Sequence, residues 1–299
     1  MALERDIERI HISVLADEVL QYLKPVSGGI YMDGTLGLGG HSLLILEASS
    51  PEGRVIGFEW DENAIARSRT RLKDFGERLT IVRRNFAEIA LGLQEAGVEK
   101  LDGLLIDIGL SSLQLDMGDR GFSFQRDEPL DMRMDSRREI TAAKIIKQST
   151  EEQLADIFYY YGEERQARRI ASFIAESRKQ EEIKSSGRLA ELVSRAVPRR
   201  YHPKKIHVAT KVFQALRIAV NTELENLSRI IDEAPALLKP GARFCVISFH
   251  SLEDRIVKRK FREHSDLNVL TPRPVTAGAG EVSENPRSRS AKLRVAERI

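Results

Sequence analysis

Gly29-Ile30-Tyr31-Met32-Asp33-Gly34-Thr35-Leu36-Gly37-Leu38-Gly39-Gly40-His41-Ser42 is the stretch from which the rest of the chain is read. A short apolar run ends in an acid, passes through a loop with four glycines, and opens a helical pattern at Ser42. This predicts a strand, a tight turn and a helix start, the first unit of a nucleotide-type binding sheet. Glycine serves where a backbone turns with positive φ, or where a ligand lies against the main chain. An ordinary glycine-rich βα turn would carry the same residues, so the neighbouring sequence has to decide.

The loop is not a phosphate-binding P-loop. Counting from Gly34, that motif requires Lys then Ser or Thr where the chain has Gly40 and His41. It also fails as a dinucleotide fingerprint, because Ser42 stands where the third glycine belongs. No Lys or Arg lies within it to meet a diphosphate, and Asp33 at the strand end suits a cationic partner. S-adenosylmethionine, with an ammonium and a sulfonium, fits better than NAD. An NAD-dependent oxidoreductase on the same sheet is thereby the weaker reading.

Composition sets the broad class. With 299 residues, 41% hydrophobic and 31% charged, the chain is expected to be soluble and to bury a full core in one or two domains. No apolar run is long enough for a bilayer, and residues 1–12 lack the apolar core of a signal peptide. The single cysteine, Cys245, rules out an intrachain disulfide and a cysteine-rich zinc site. A cytoplasmic location is expected, with no membrane and no metal. Net charge is +2, yet between Arg165 and Arg217 fourteen Lys/Arg face four acids. Such one-sign clustering is a solvated helix face or a surface for polyanions, RNA among them.

Taken in order, Val14 to Leu23 reads as a lead-in helix, Ile30 to Met32 as the first strand, and Ser42 to Ala48 as a helix. Val55 to Glu59 is a buried strand ending in an acid about twenty residues beyond the glycine loop, where a ribose-hydroxyl acceptor belongs; Asp61 is the rival. Asn63 to Leu72 is helical, Leu79 to Val82 a strand leading to Phe86, and Leu101 to Ile108 a strand carrying Asp107. Strands alternating with helices argue for a parallel α/β sheet whose ligands sit at the carboxyl ends of the strands. Asp33, Glu59, Phe86 and Asp107 all fall at such ends.

Gly109 to Asp135 has no period of 2 or 3.6, which in a compact domain marks a functional loop. Its Phe122 and Phe124 are packing anchors or a cradle for an unpaired base. Helical spacing then runs through Ala142–Lys147, Glu151–Tyr160, Glu163–Ser177 and Arg188–Val197, with breaks at Gly162 and Gly187. Val212 to Leu238 reads as one long helix, kinked at Pro235. Phe244 to Phe249 is a fifth strand, and His250 opens a further helix. Arg273 to Ser290 is expected to be a mobile arm, and Leu293 to Arg298 an edge strand.

Asp33-Gly34-Thr35, Gly39-Gly40-His41-Ser42, Ser111-Ser112 with Gln114-Leu115-Asp116, and Arg120-Gly121-Phe122-Ser123-Phe124 together resemble the MraW/RsmH family. So do Pro129 to Asp135, Tyr161 to Arg165, Phe213 to Asn221, Ser248 to Arg255 and Asn285-Pro286-Arg287. The resemblance spans nearly the whole chain. It implies a methyltransferase that uses S-adenosyl-L-methionine to modify the N4 amine of a cytidine in small-subunit (16S) ribosomal RNA, in an assembled or nearly assembled subunit. The expected fold is α/β: a doubly wound, mostly parallel Rossmann-like methyltransferase sheet with an inserted all-helical subdomain. Its methyltransferase parts are residues 1–115 and 207–299, and its helical substrate-recognition part is 116–206.

The cofactor contacts implied by the resemblance are Gly39, Gly40, His41, Glu59, Phe86, Asp107 and Gln114, with Asp33 added from the loop. Glu59 stands where the family usually has Asp, Lys211 where it has Arg, and Glu128 where it has Gly; Ser13 and Val208 replace usual prolines. Asp107 is the candidate catalytic residue, as acceptor for the amine or purely as a cofactor ligand. Phe122, Phe124, Arg217, Asn221 and His250 are the candidate RNA contacts. A non-catalytic RNA-binding or assembly protein with a relic cofactor pocket is the alternative.

Overall fold

Runs of three to eleven residues make seven strands among the described residues: β1 (Ile30–Asp33), β2 (Arg54–Phe58), β3 (Leu79–Val82), β4 (Leu101–Asp107), β5 (Leu238–Ser248), β6 (Leu267–Val269) and β7 (Lys292–Arg298). The computed structural model describes residues 13–109 and 119–299. All seven strands join one sheet in the order β3-β2-β1-β4-β5-β7-β6. Strands β1 to β5 pair in parallel, and β7 runs antiparallel to both its neighbours. The chain winds outward from β1 through β2 to β3, then returns to lay β4 on the other side of β1. Strand order therefore reverses between β1 and β4, the switch point at which doubly wound sheets bind ligands.

Among the described residues four helices precede the insertion: α1 (Ala16–Leu23), α2 (Gly40–Ala48), α3 (Glu62–Arg71) and α4 (Ile89–Glu95). Five follow in the next stretch: α5 (Ala142–Gln148), α6 (Glu151–Tyr160), α7 (Ala167–Gln180), α8 (Ser186–Ala196) and α9 (Thr210–Asn221). The chain closes with α10 (Glu223–Glu233), α11 (Ser251–Glu263) and α12 (Ala279–Glu284).

The sheet buries both faces, which is why its central strands are continuously apolar. Met32, Ile56, Phe58, Leu104 and Ile106 point to one side, packed with Leu227, Ile230 and Phe261. Tyr31, Val55, Leu105, Cys245 and Ile247 point to the other, packed with Leu15, Val19, Ile45 and Leu46. Each such side chain contributes about 1.5–3 kcal/mol of burial. Cys245 lies wholly inside, and burial pushes its thiol up to about 12, so it is a small apolar filler rather than a nucleophile.

Two compact units result: Met1–Ser111 with Leu224–Ile299, and Ser112–Glu223. The regular elements of the second, among the described residues, are helices, started by side-chain caps at Thr141, Thr150 and Ser185, and cored by Leu154, Phe158, Ile170, Ile174, Leu189 and Val193. It runs past residue 206 because α9 packs on α5 and α6. The break expected at Gly187 is absent: α8 begins at Ser186, before that glycine.

Other expectations need correction. The helix expected over Val212 to Leu238 is two, α9 and α10, parted by Thr222 at φ 50°. Apolar periodicity runs through the join, so the pattern conceals it; Pro235 sits beyond, in a 3₁₀ turn. β7 is not an edge strand, since three-residue β6, too short to read from sequence, flanks it. The expected mobile arm is packed: Val275 bridges Leu293, and Glu281 Oε1 accepts the Leu15 N–H at 2.8 Å.

Gly162 shows how closely α6 and α9 approach. A Cβ there would stand 2.6 Å from the Lys211 carbonyl oxygen and 2.7 Å from that of Phe158. Both are backbone atoms and neither yields cheaply. Gly162→Ala should therefore destabilise the helical unit by about 1–3 kcal/mol, read as a lowered urea midpoint in the unfolding of the full chain.

Candidate functional site

The glycine loop is built around two buried carboxylates. Asp33, 1% exposed at the end of β1, accepts the Thr35 N–H through Oδ1 at 3.1 Å and the Ser42 hydroxyl through Oδ2 at 2.7 Å. Burial pushes its carboxyl above the ordinary range, opposed by nearby His41 and by these hydrogen bonds. Asp33 thus shapes the loop from behind, and the cationic partner expected of it gives way to the loop's own donors. Gly39 takes φ 76° at the turn into α2, and a Cβ there would lie 2.6 Å from Leu72 Cδ1. A Cβ at Gly34 would collide with Ile106 and meet Phe86 Cβ at 3.0 Å. The loop therefore lies directly on Phe86 and on the strand that carries Asp107.

Glu59 follows β2 and is buried. Its Oε2 accepts the Gly37 N–H at 3.0 Å, and its Oε1 accepts the N–H groups of Trp60 and Asp61, both at 2.8 Å. Burial favours the neutral acid and the three donors favour the anion; burial wins, lifting the carboxyl to about 7. Asp61, the rival acceptor, is the N-cap of α3, its Oδ1 taking the Asn63 N–H at 3.1 Å.

Asp107 ends β4, and its N–H donates to Thr35 Oγ1 at 2.7 Å, tying the loop to a third strand. His41 Nε2, from the first turn of α2, stands 3.6 Å from Asp107 Oδ2. Asp107 Oδ1 and His41 Nε2 are both buried with no hydrogen-bond partner among the described residues. A buried acceptor without a partner is costly, so an atom so placed suits a donor from a ligand or a water. Asp33, Gly39, Gly40, His41, Glu59, Phe86 and Asp107 are thus gathered at the carboxyl ends of β1 to β4. Gln114 lies outside the described residues.

This group suits S-adenosylmethionine by its chemistry. It offers carboxylate oxygens, an aromatic wall and bare glycine backbone, and the loop has no cation for a diphosphate. No group of three potential metal ligands occurs among the described residues, and no described helix is long and apolar enough to cross a membrane.

The candidate RNA contacts are distributed differently. In the helical unit, Phe122 is buried, while half-buried Phe124 leans on His207 at 4.6 Å and edge-on to Phe213 at 5.1 Å. Arg217 forms a two-pronged ion pair with Glu223, at 2.8 Å for each hydrogen bond, in largely buried surroundings. Asn221 is wholly buried: Oδ1 accepts the Met134 N–H at 2.8 Å, and Nδ2 donates to the carbonyls of Met132 and Arg217 at 2.8 and 2.9 Å. It holds the loop in which Met132 takes φ 60°, so the expected substrate contact is a strut.

His250, in the sheet unit, is likewise a helix cap. Its Nδ1 accepts the Glu253 N–H at 3.4 Å, and Nε2 lies 2.8 Å from Glu253 Oε1, outside hydrogen-bond alignment. Glu253, wholly buried, accepts the N–H groups of Phe249 and His250 in return. Lys211 directs its ammonium to the Glu163 carbonyl at 2.8 Å. Sequence reasoning missed Glu223, Glu253 and Thr35. Only Glu253 had a local signal, the three-residue spacing of a capping box, there obscured because the cap is a histidine.

A model of the MraW methylase family matches residues 8–299. A protein of Desulfotalea psychrophila called ribosomal RNA small subunit methyltransferase H is 68% identical over 294 residues, covering 98% of this chain and 100% of that protein. Proteins of the same name from Geobacter sp. (strain M21) and Cyanothece sp. are 50% and 51% identical. They cover 97% and 99% of this chain, and 98% and 97% of their own lengths.

Glu59 gives the site a measurable pH signature. Its folded value, about 7, lies above the ordinary 4.5, so the folded chain retains a proton that the unfolded chain releases. The stability it lends is full below the lower value and is lost as pH rises through the upper one. Between roughly pH 5 and 8 the ligand-free protein should lose on the order of 3 kcal/mol relative to Glu59→Gln, whose amide does not titrate. Parallel stability–pH curves for the two proteins in urea unfolding would remove Glu59 as the titrating group.

Proposed function

The chain belongs to the MraW methylase family, and from that premise we propose that it transfers a methyl group from S-adenosylmethionine to the N4 amine of a cytidine in small-subunit ribosomal RNA. The substrate in this reading is the assembled or nearly assembled subunit, met in the cytoplasm. The observation that carries it is the buried Asp107 Oδ1, without a hydrogen-bond partner among the described residues, at the β1/β4 switch point beside a glycine loop held by two buried carboxylates.

The sulfonium supplies an already activated methyl group, so the chain's task is to bind, orient and exclude water. Glu59 Oε2 takes a single backbone N–H and has a lone pair left for a ribose hydroxyl. Phe86 offers an apolar wall for the adenine. The N–H groups at the start of α2, around Gly40 and His41, face where a carboxylate is stabilised by the helix end.

Asp107 offers an acceptor either to the cofactor ammonium or to the hydrogens of the cytosine amine. In the second case it draws the nitrogen lone pair out of ring conjugation and aims it along the line of transfer. After transfer the amine is acidic enough to release its proton to water, so no dedicated base is required. His250 caps α11 through Nδ1 and keeps Nε2 against the buried Glu253, a structural placement that suits a cap rather than a base. The target base must leave any stack to be reached, which is least costly in a loop or single strand. Cations of the helical unit are suited to the flanking phosphates.

The decisive experiment is small subunits from cells lacking the enzyme, incubated with isotope-labelled S-adenosylmethionine and digested to nucleosides for mass spectrometry. Labelled N4-methylcytidine is expected, and label in another nucleoside, or none, overturns the reading. Asp107→Ala should lower turnover by about 100-fold or more. Because the ribose hydroxyls favour an ionised Glu59, cofactor affinity by calorimetry should rise as pH passes through about 7. A flat profile would move the ribose contact elsewhere.

A further inference from the structure

Residues 192–222 contain seven Lys/Arg and no Asp or Glu. In the middle, Pro198 to His207 leaves α8, makes one 3₁₀ turn at Arg199–Tyr201, and stays exposed up to the buried Val208. Tyr201 is 50% exposed; Tyr159 and Tyr160 on α6 are exposed too, but no cation stands over either of their rings among the described residues. The Arg200 guanidinium lies over the Tyr201 ring, 4.8 Å from the centroid. Arg199, Lys204 and Lys205 are exposed, and their side chains have no ion-pair partner among the described residues.

The segment is nevertheless anchored. Tyr201 and His202 N–H groups close turns onto Pro198 and Arg199, and the His202 ring sits 2.9 Å from the Val197 carbonyl. At the far end His207 stacks on Phe124. Several cations elsewhere in the unit answer to acids: Lys147 to Glu182, Lys179 to Glu176, and Arg188 to Glu191. Here the acids are missing from the sequence itself, and an aromatic face is set among the cations.

Building on the reading of the chain as an RNA methyltransferase, we propose that Pro198–His207 is a platform for single-stranded RNA. One face of the Tyr201 ring is covered by Arg200 and the other stacks an unpaired base. Arg199, Lys204 and Lys205 hold the phosphates on either side of that base. Stacking on an aromatic face tolerates any base, and a Tyr–Arg pair set among cations is the chemistry that single-stranded nucleic acid binding uses. A duplex has no free base face to offer, so the strand bound here is unpaired.

The full-length protein is titrated into a fluorescein-labelled single-stranded RNA of about twelve nucleotides, with the matching duplex alongside, and anisotropy is followed. Tyr201→Ala should weaken single-strand binding about ten-fold while Tyr201→Phe, which keeps the ring, stays near wild type. Combined Arg199→Ala, Lys204→Ala and Lys205→Ala should lower the slope of log K against log salt by about two. Cofactor affinity should be unchanged in all of these variants. Equal binding by Tyr201→Ala and wild type, or tighter binding of the duplex, overturns the platform. The assay separates this from the catalytic reading: absence of methyl transfer by wild type defeats that reading and leaves the anisotropy result standing. Conversely, normal methylation with an unchanged KM for subunits in both Tyr201→Ala and the triple variant defeats the platform alone.

Discussion

The arrangement depends on a reciprocal exchange between buried carboxylates and a glycine loop. A carboxylate removed from water loses several kcal/mol of solvation unless donors surround it. Asp33 and Glu59, at the ends of adjacent strands, both draw on the loop: Asp33 takes the Thr35 N–H and Ser42 hydroxyl, and Glu59 takes the Gly37 N–H beside those of Trp60 and Asp61. The loop in turn has backbone groups that its turning geometry leaves unpaired, and the carboxylates satisfy them. Thr35 extends the exchange by accepting the Asp107 N–H. Three strand ends and one loop are thus locked together by groups none of which is satisfied alone. The loop keeps one shape because every alternative strands a buried acid.

Sheet and site were legible to different depths. Central strands buried on both faces read as continuous apolar runs, and an acid ending such a run is conspicuous, so Asp33, Glu59 and Asp107 stood out. What each acid does was not legible. Asp33 and Asp107 look alike in sequence, but one has both oxygens engaged and the other has one without a partner among the described residues. That difference arises from which way the loop folds over them. The break at Asn221-Thr222 was hidden because the apolar period continues across it, and a left-handed threonine leaves no compositional trace. Arg217 and Glu223 pair across that break, at a spacing no uninterrupted helix brings together. β7 was read as an edge because its covering partner is a strand of three residues. The segment from Arg273 to Ser290 has the composition of a linker, and its anchoring through Glu281 and Val275 depends on residues more than two hundred and about twenty positions away, respectively.

Conserving a hydrogen bond and placing a charge are separate tasks, and the helical unit divides them along its sequence. Between Arg120 and Arg138 the charges answer one another locally: Asp131 holds Arg133, and Asp135 holds Arg137. Asp131 sits well below the usual carboxylate range because Arg133, through paired hydrogen bonds and charge, outweighs its burial. Those pairs, with Asn221 bridging Met132 and Met134, give that loop a fixed backbone. From 192 to 222 the chain holds no acid; Arg195 and Arg217 reach Glu191 and Glu223 just outside, while Arg199, Lys204 and Lys205 have no ion-pair partner among the described residues. Surface ion pairs contribute only about 0–1 kcal/mol, so omitting the acids there sacrifices little stability. What the omission changes is the potential at the surface, which uncompensated cations raise and nearby carboxylates would cancel. Leaving Arg199, Lys204 and Lys205 unanswered is nearly neutral for the fold, and it keeps at that surface the positive potential that the proposed platform for a polyanion needs.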